Sequence, residues 1–271
     1  MPPHLSTPTW CRVMAAESLR NIRSSAPAVV RSAGLLAVLA SPDGGPMGLS
    51  DLARCLDLPK STVANLCSAL EQVGFITRQD GRYNLGPRLL ELGAAYVDRI
   101  DVLQEFREAS ARLRWASQET VQLALLDGTE IIYLARHDGN QPIRLGAGIG
   151  RRMPVTCTAL GKALLAEIDP SVVQSTLATL PTLPVLTPHS KRNIAELLED
   201  LDTIRERGYA IDDEENSIGI VCYSVSLPTM APATARRAIS VTLLKARETA
   251  SLREHLVEDL RTLKADLSHR L

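Results

Sequence analysis

Between residues 58 and 85 the apolar pattern changes period once, and that change limits the fold more than any other feature of the chain. LPKSTVANLCSALEQVGFI opens on proline, lysine and a polar cluster, then carries apolar residues at helical spacing up to Gly74. FITRQDGRYNL follows, with apolar and polar residues alternating on both sides of an Asp-Gly pair, which predicts two short strands joined by a tight turn. Upstream, VVRSAGLLAVLA places Val29, Val30, Ala33, Leu36, Ala37 and Leu39 on one helical face before SPDGGPMG breaks it. Ser50 is the expected N-cap of a second, short helix that turns Leu49, Leu52, Ala53 and Leu56 inward and stops before Pro59. Three helices and a hairpin make a winged helix-turn-helix over residues 29–86.

In that arrangement the third helix meets DNA by its N-terminal end. Leu66, Ala69, Leu70 and Val73 are expected to pack inward, leaving Lys60, Ser61, Thr62, Ala64, Asn65 and Ser68 outside. Hydroxyls, helix-end amides and a lysine suit phosphates, and an asparagine can pair with an adenine edge in the major groove. Arg78 and Arg82 on the hairpin, with Tyr83 beside them, suit the backbone or the minor groove. The expected DNA-contacting set is therefore Ser50, Lys60, Ser61, Thr62, Asn65, Arg78, Arg82 and Tyr83.

Charge alone does not point to nucleic acid. The 271 residues carry a formal net charge of −1, so any attraction to DNA must come from a local patch. Aromatic residues make up 3% of the chain, too few for a surface that stacks several bases. Residues 1–28 read as a flexible tail made locally basic by Arg12, Arg20 and Arg23, with one short helical stretch, AAESLRNIR. Five cysteines are scattered without a CxxC pair, which suggests neither a disulfide framework nor zinc-finger spacing and fits a reducing cytoplasm. No basic-then-apolar leader and no apolar run of membrane-spanning length is expected to tie the chain to a membrane.

From residue 87 to about 118 leucines and alanines recur at three- and four-residue spacing, predicting one linker helix or two abutting ones that could support a dimer seam. Beyond Glu119 the texture changes. TVQLALLDGTEIIYLARHDG predicts a hairpin and PIRLGAGIGRRMPVTCT an extended, glycine-rich stretch. TALGKALLAEI starts a helix, and SVVQSTLATL and KRNIAELLEDLDTIRERG give two more. YAIDDE, GIVCYSVSLP and RRAISVTLL return to strands before a last helix from about Glu248. The whole is an α+β chain whose second domain, residues 119–271, mixes strands and helices.

GLSDLARCLDLPKSTVANLCSALEQVGFITRQDGRYNLGPRLLELG resembles the winged helix-turn-helix of the IclR-type transcriptional regulators along its whole length. GRRMPVTCTALGKALLA and RGYAIDDEENSIGIVC are similar to that family's second domain. The resemblance covers roughly residues 29–265. It implies a dimer, or a dimer of dimers, on a partly palindromic double-stranded operator, acting as repressor or activator, with no cofactor. It also implies a GAF-like domain that binds a small effector, often a carboxylate or aromatic acid. Carried over residue by residue, the effector site takes Ala159 and Leu160 at the helix start, Asp212, Cys222, Ser240 and Thr242. Leu145, Ile149 and Met153 are expected to add an apolar wall.

Two departures from the family pattern stand out. Asn65 occupies a position where the family commonly has arginine, which removes a bidentate contact to guanine or phosphate. Tyr223 follows Cys222 where a small apolar residue is usual, and an inward ring there would shrink the pocket. The competing readings are an enzyme and a metal-binding sensor. Cys157 and Cys222 with His137 and His189 could form a thiol and base, and Asp212, Asp213, Glu214 and Glu215 could act as acids or ligands. No HExxH, GxSxG, Walker-type or dinucleotide motif supports catalysis, so the chain is read as a regulator without enzymatic activity and without a metal.

Overall fold

The structure, a computed structural model, describes residues 24–41, 45–97, 102–141, 146–229 and 235–268. The chain divides into two compact units, Met1–Arg99 and Ile100–Leu271. Arg12, Arg20, Arg23 and the AAESLRNIR stretch lie outside the described residues.

In the first unit α1 (Pro27–Leu39) starts on a proline whose fixed φ and missing amide suit a first turn. It buries Gly34, Leu35, Val38 and Leu39. The expected face is thus corrected by rotation: Val29 is 68% exposed and Ala33 is also exposed. PAVVRSAGLLAVL is apolar nearly all round, so packing against α2 (Leu49–Leu56) selects the face, with Leu56 in van der Waals reach of Gly34. Gly48, and not Ser50, is the N-cap residue of α2; Ser50 is exposed in the first turn.

The third helix, α3 (Lys60–Gln72), buries Val63, Leu66, Cys67 and Leu70, an i, i+3, i+4, i+7 stripe. Ala69 and Val73, expected inside, are exposed, because the stripe drifts toward Val63 and Cys67 instead. The hairpin forms as β2 (Ile76–Gln79) and β3 (Arg82–Leu85). Asp80 and Gly81 both have positive φ, as a type I′ turn requires. A two-residue strand, β1 (Met47–Gly48), adds to β3 and makes the sheet three-stranded, a pairing too short to leave a pattern in the sequence. The linker stretch forms two helices, α4 (Arg88–Val97) in the first unit and α5 (Val102–Arg112) in the second. No residue of α4 is buried.

The second unit is built on one antiparallel sheet of six strands in the order β6-β5-β4-β9-β8-β7. The strands are β4 (Thr120–Asp127), β5 (Glu130–His137), β6 (Arg152–Pro154), β7 (Ala210–Asp213), β8 (Ile220–Ser226) and β9 (Arg237–Leu244). On one face lie α6 (Ala159–Ala166), α7 (Pro170–Leu177) and α8 (Ile194–Arg207), sharing a core with Ala124, Ile131, Tyr133, Cys222 and Ala238. Helices α5 and α9 (Ala250–Ser268) pack on each other and on strands of the sheet.

Side-chain alternation settles the Tyr223 question. Cys222 points toward α6, so its neighbour points the opposite way, and the Tyr223 hydroxyl donates to Glu248 just ahead of α9. The ring is buried there and does not intrude on the α6 face. Cys67, Cys157 and Cys222 are free, buried thiols. Among the described residues no helix is long and apolar enough to cross a membrane.

Candidate functional site

Two places gather the residues singled out in the sequence. In the first unit α3 begins after Pro59, which supplies no capping side chain, so the early amides stay open beside exposed Lys60 and Ser61 and half-buried Thr62. Asn65 is exposed one turn on. Arg78 is exposed and lies over the Tyr83 ring at 5.4 Å, and exposed Arg82 donates to the Pro46 carbonyl at 3.0 Å. Tyr83 itself is 6% exposed and belongs to the small core, which corrects its expected role: it supports the wing from inside.

In the second unit the sheet register aligns the other set. Asp212 on β7 faces Cys222 on β8, Cys222 faces Thr242 on β9, and Ser240 on β9 faces Gln122 on β4. The period of two turns all of them to the α6 face. Above them α6 starts at Thr158, whose hydroxyl oxygen accepts the Gly161 amide at 3.1 Å and whose O–H donates to the Pro154 carbonyl. Gly161 is required there, because a Cβ would stand 2.3 Å from the Val155 backbone. No hydrogen bond among the described residues uses the amides of Ala159 or Leu160, which open the helix toward the sheet.

Between helix start and sheet lies a cavity of about 420 Å³. Ala159, Leu160, Asp212, Cys222, Ser240, Thr242 and Met153 all line it. Ile149 does not; it is 59% exposed on a loop and is corrected to a surface residue. Leu145 lies outside the described residues. Gln122, Tyr133, Arg151, Asn216 and Ser217 also line the cavity and were missed. Gln122 had a signal: it is the one polar residue inside the apolar run TVQLALL, and it is 1% exposed.

Burial pushes the Asp212 carboxyl up to about 7, against the two amides, of Glu215 and Asn216, that its Oδ1 accepts at 2.8 and 3.1 Å. The same turn carries Glu215, whose carboxylate meets the fully buried Lys162 ammonium of α6 at 2.5 Å, while Asp200 of α8 meets it at 2.7 Å. Burial opposes the Lys162 charge, but the two carboxylates outweigh it and hold the ammonium above its usual range. Burial also lifts Glu215, whose second carboxylate oxygen has no hydrogen-bond partner among the described residues. Cavity floor and helix start are thereby tied through one ionic cluster.

The thiol chemistry considered from the sequence does not assemble. Burial pushes the Cys157 and Cys222 thiols up, away from the reactive thiolate. Cys157 donates to the Pro184 carbonyl, and His137 pairs with the Ser117 carbonyl. Among the described residues no group of three or more His, Cys, Asp or Glu side chains could hold a metal.

The chain matches two family models: the IclR helix-turn-helix domain over residues 28–80, and the bacterial transcriptional regulator IclR C-terminal domain over residues 94–269. The HTH-type transcriptional regulator KdgR of Dickeya chrysanthemi is 31% identical over 78% of this chain and 69% of its own length. The HTH-type transcriptional repressor AllR of Escherichia coli K12 is 31% identical over 76% of each. A solved IclR transcriptional regulator from Alicyclobacillus acidocaldarius superposes with a TM-score of 0.78 at 25% identity, covering 90% of this chain and 98% of that one. Its relatives are named as regulators and not as enzymes, and the chain belongs to the IclR family of helix-turn-helix transcriptional regulators.

Proposed function

We propose that this regulator binds operator DNA through the start of α3 and the wing, and binds a small carboxylate or aromatic acid in the cavity beneath α6. The DNA-binding domain spans 29–86, the linker 87–118 and a GAF-like effector domain 119–271. The convergence in one cavity of a helix start with open amides and of side chains from β7, β8 and β9 carries the effector reading. Open amides at a helix N-terminus are a ready seat for a carboxylate, and hydroxyls of Ser240 and Thr242 complete its hydrogen bonding. The protein acts in the cytoplasm as a homo-oligomer, with α4 as its seam: Leu90 is 77% exposed, Tyr96 55% and Leu92 50%, a poor surface to leave in water.

The test is a salt-titrated binding assay on the protein's own upstream intergenic DNA against scrambled DNA of equal length. Binding at least ~10³-fold tighter to the natural sequence is the expected result. Equal binding to both overturns the specific-regulator reading for that locus and for Asn65 as a base-reading residue.

A further inference from the structure

The GRRMP stretch carries two arginines with opposite circumstances. Arg152 is fully engaged, with Asp127 at 2.5 Å and Glu130 at 3.1 Å. Arg151 has no side-chain hydrogen bond and no ion pair with any described residue, yet it lines the cavity and its charge reaches the Tyr133 hydroxyl. Its backbone is pinned: Tyr133 donates to the Arg151 carbonyl at 3.1 Å, Arg151 donates to Gly148 at 3.2 Å, and Gly150 donates to Tyr133 at 2.8 Å. A fixed base with a free guanidinium at an exposed rim is a poised anion contact.

Arg151 is the only cation among the described residues lining the cavity, and its exposure sets it apart from the buried helix start. The α6 amides belong to residues that are 1% and 2% exposed, whereas Arg151 is an exposed residue at the rim. A monocarboxylate satisfies one of these two positive features and leaves the other empty. The same cavity is lined by hydroxyls without hydrogen-bond partners among the described residues: Tyr133, 5% exposed, and Ser240, 2% exposed. The Gln122 amide is held by donation to the Ala147 carbonyl at 2.8 Å, which leaves its carbonyl oxygen as an acceptor. Polar groups that line a cavity without partners in the fold are free to bond to a ligand that fills it.

Resting on the effector reading above, we infer that the ligand is a dicarboxylate whose inner carboxylate sits at the start of α6 and whose outer carboxylate is held by Arg151, the specificity-determining residue. Tyr133, Ser240 and Gln122 read oxygen substituents on the chain between the two ends. The cavity, at about 420 Å³, falls within the size of small-molecule sites and exceeds what the shortest acids fill.

The test is calorimetry on the full chain at fixed ionic strength with succinate, glutarate and adipate, each against the monoacid of equal chain length: butyrate, valerate and hexanoate. At least one diacid binds wild type about tenfold or more tighter than its matched monoacid. Arg151→Gln brings that ratio close to one, and Arg151→Lys keeps part of it. A ratio near one in wild type, or one that survives Arg151→Gln, overturns the two-anion reading while leaving the carboxylate site standing. Failure of every acid to bind overturns the two-anion reading and the aliphatic form of the carboxylate reading with it.

Discussion

The two units use their polar residues in opposite ways. Every buried polar or charged side chain among the described residues, from Ser110 to Thr242, belongs to the second unit; the first has none. Its core is Leu35, Leu52, Val63, Leu66, Ile76 and their apolar neighbours, and its chemistry is outside, at Lys60, Ser61, Asn65, Arg78 and Arg82. The second unit places Lys162, Asp212, Glu215, Gln122 and Ser240 in its interior. A DNA contact needs a surface, and its scaffold can be an ordinary small core. A ligand cavity needs buried groups whose desolvation is offset within the fold, so its function and its stability share residues.

That contrast breaks most visibly at Lys162. Replacing it by methionine leaves Glu215 and Asp200 without their shared cation, and the second unit is expected to lose about 3–5 kcal/mol in denaturant unfolding. A loss below ~1 kcal/mol would show that water already reaches the cluster. Removal of any single DNA-facing residue of the first unit should change stability by no more than about 0.5 kcal/mol.

Asp212 sharpens the comparison through pH. Its folded-state pKa is about 7, above the ordinary 3.8, so the folded chain binds the extra proton between those values. Its contribution to stability is complete below about pH 4 and is lost as pH rises through 7. Unfolding curves of wild type and Asp212→Asn across that range should diverge, the variant being the flatter. Acid binding in the cavity should weaken over the same rise, as a charged Asp212 meets a charged ligand. Parallel curves would place Asp212 in contact with solvent.

Smaller effects are expected on the outer surface of the first unit. Lys60→Ala should weaken binding to natural and scrambled DNA alike and lower the slope of log affinity against log salt by about 1, read by fluorescence anisotropy. An unchanged slope removes Lys60 from the phosphate contacts. Smallest of all is Val73→Ser: the side chain is 56% exposed, so the midpoint of unfolding should barely move. A large shift would restore the inward face first expected for it.

Strong local signals were legible in the sequence. The Asp-Gly hairpin, the start of α3 after Pro59 and the start of α6 at Thr158 and Gly161 each depend on a few adjacent residues whose conformations are narrow. The helix-turn-helix was legible from helical spacing and the hairpin together, whereas the grouping of Asp212, Cys222, Ser240 and Thr242 became legible through family resemblance. What escaped depends on distant pairing. The face of α1 is chosen by α2, β1 exists only as a partner of β3, and the side taken by Tyr223 follows from a register three strands wide. Gln122 and Arg151 reach one cavity from strands and loops that no local pattern connects.

An acid that controls this regulator must couple the interior of the second unit to the DNA-binding surface of the first, and linkage makes that coupling measurable. Once an acid that fills the cavity is in hand, its affinity should be measured with and without saturating operator DNA, and DNA affinity with and without saturating acid. The two ratios are expected to be equal and to differ from one, within the roughly 5–150-fold range of allosteric coupling. An acid that binds tightly while leaving DNA affinity unchanged would contradict that coupling.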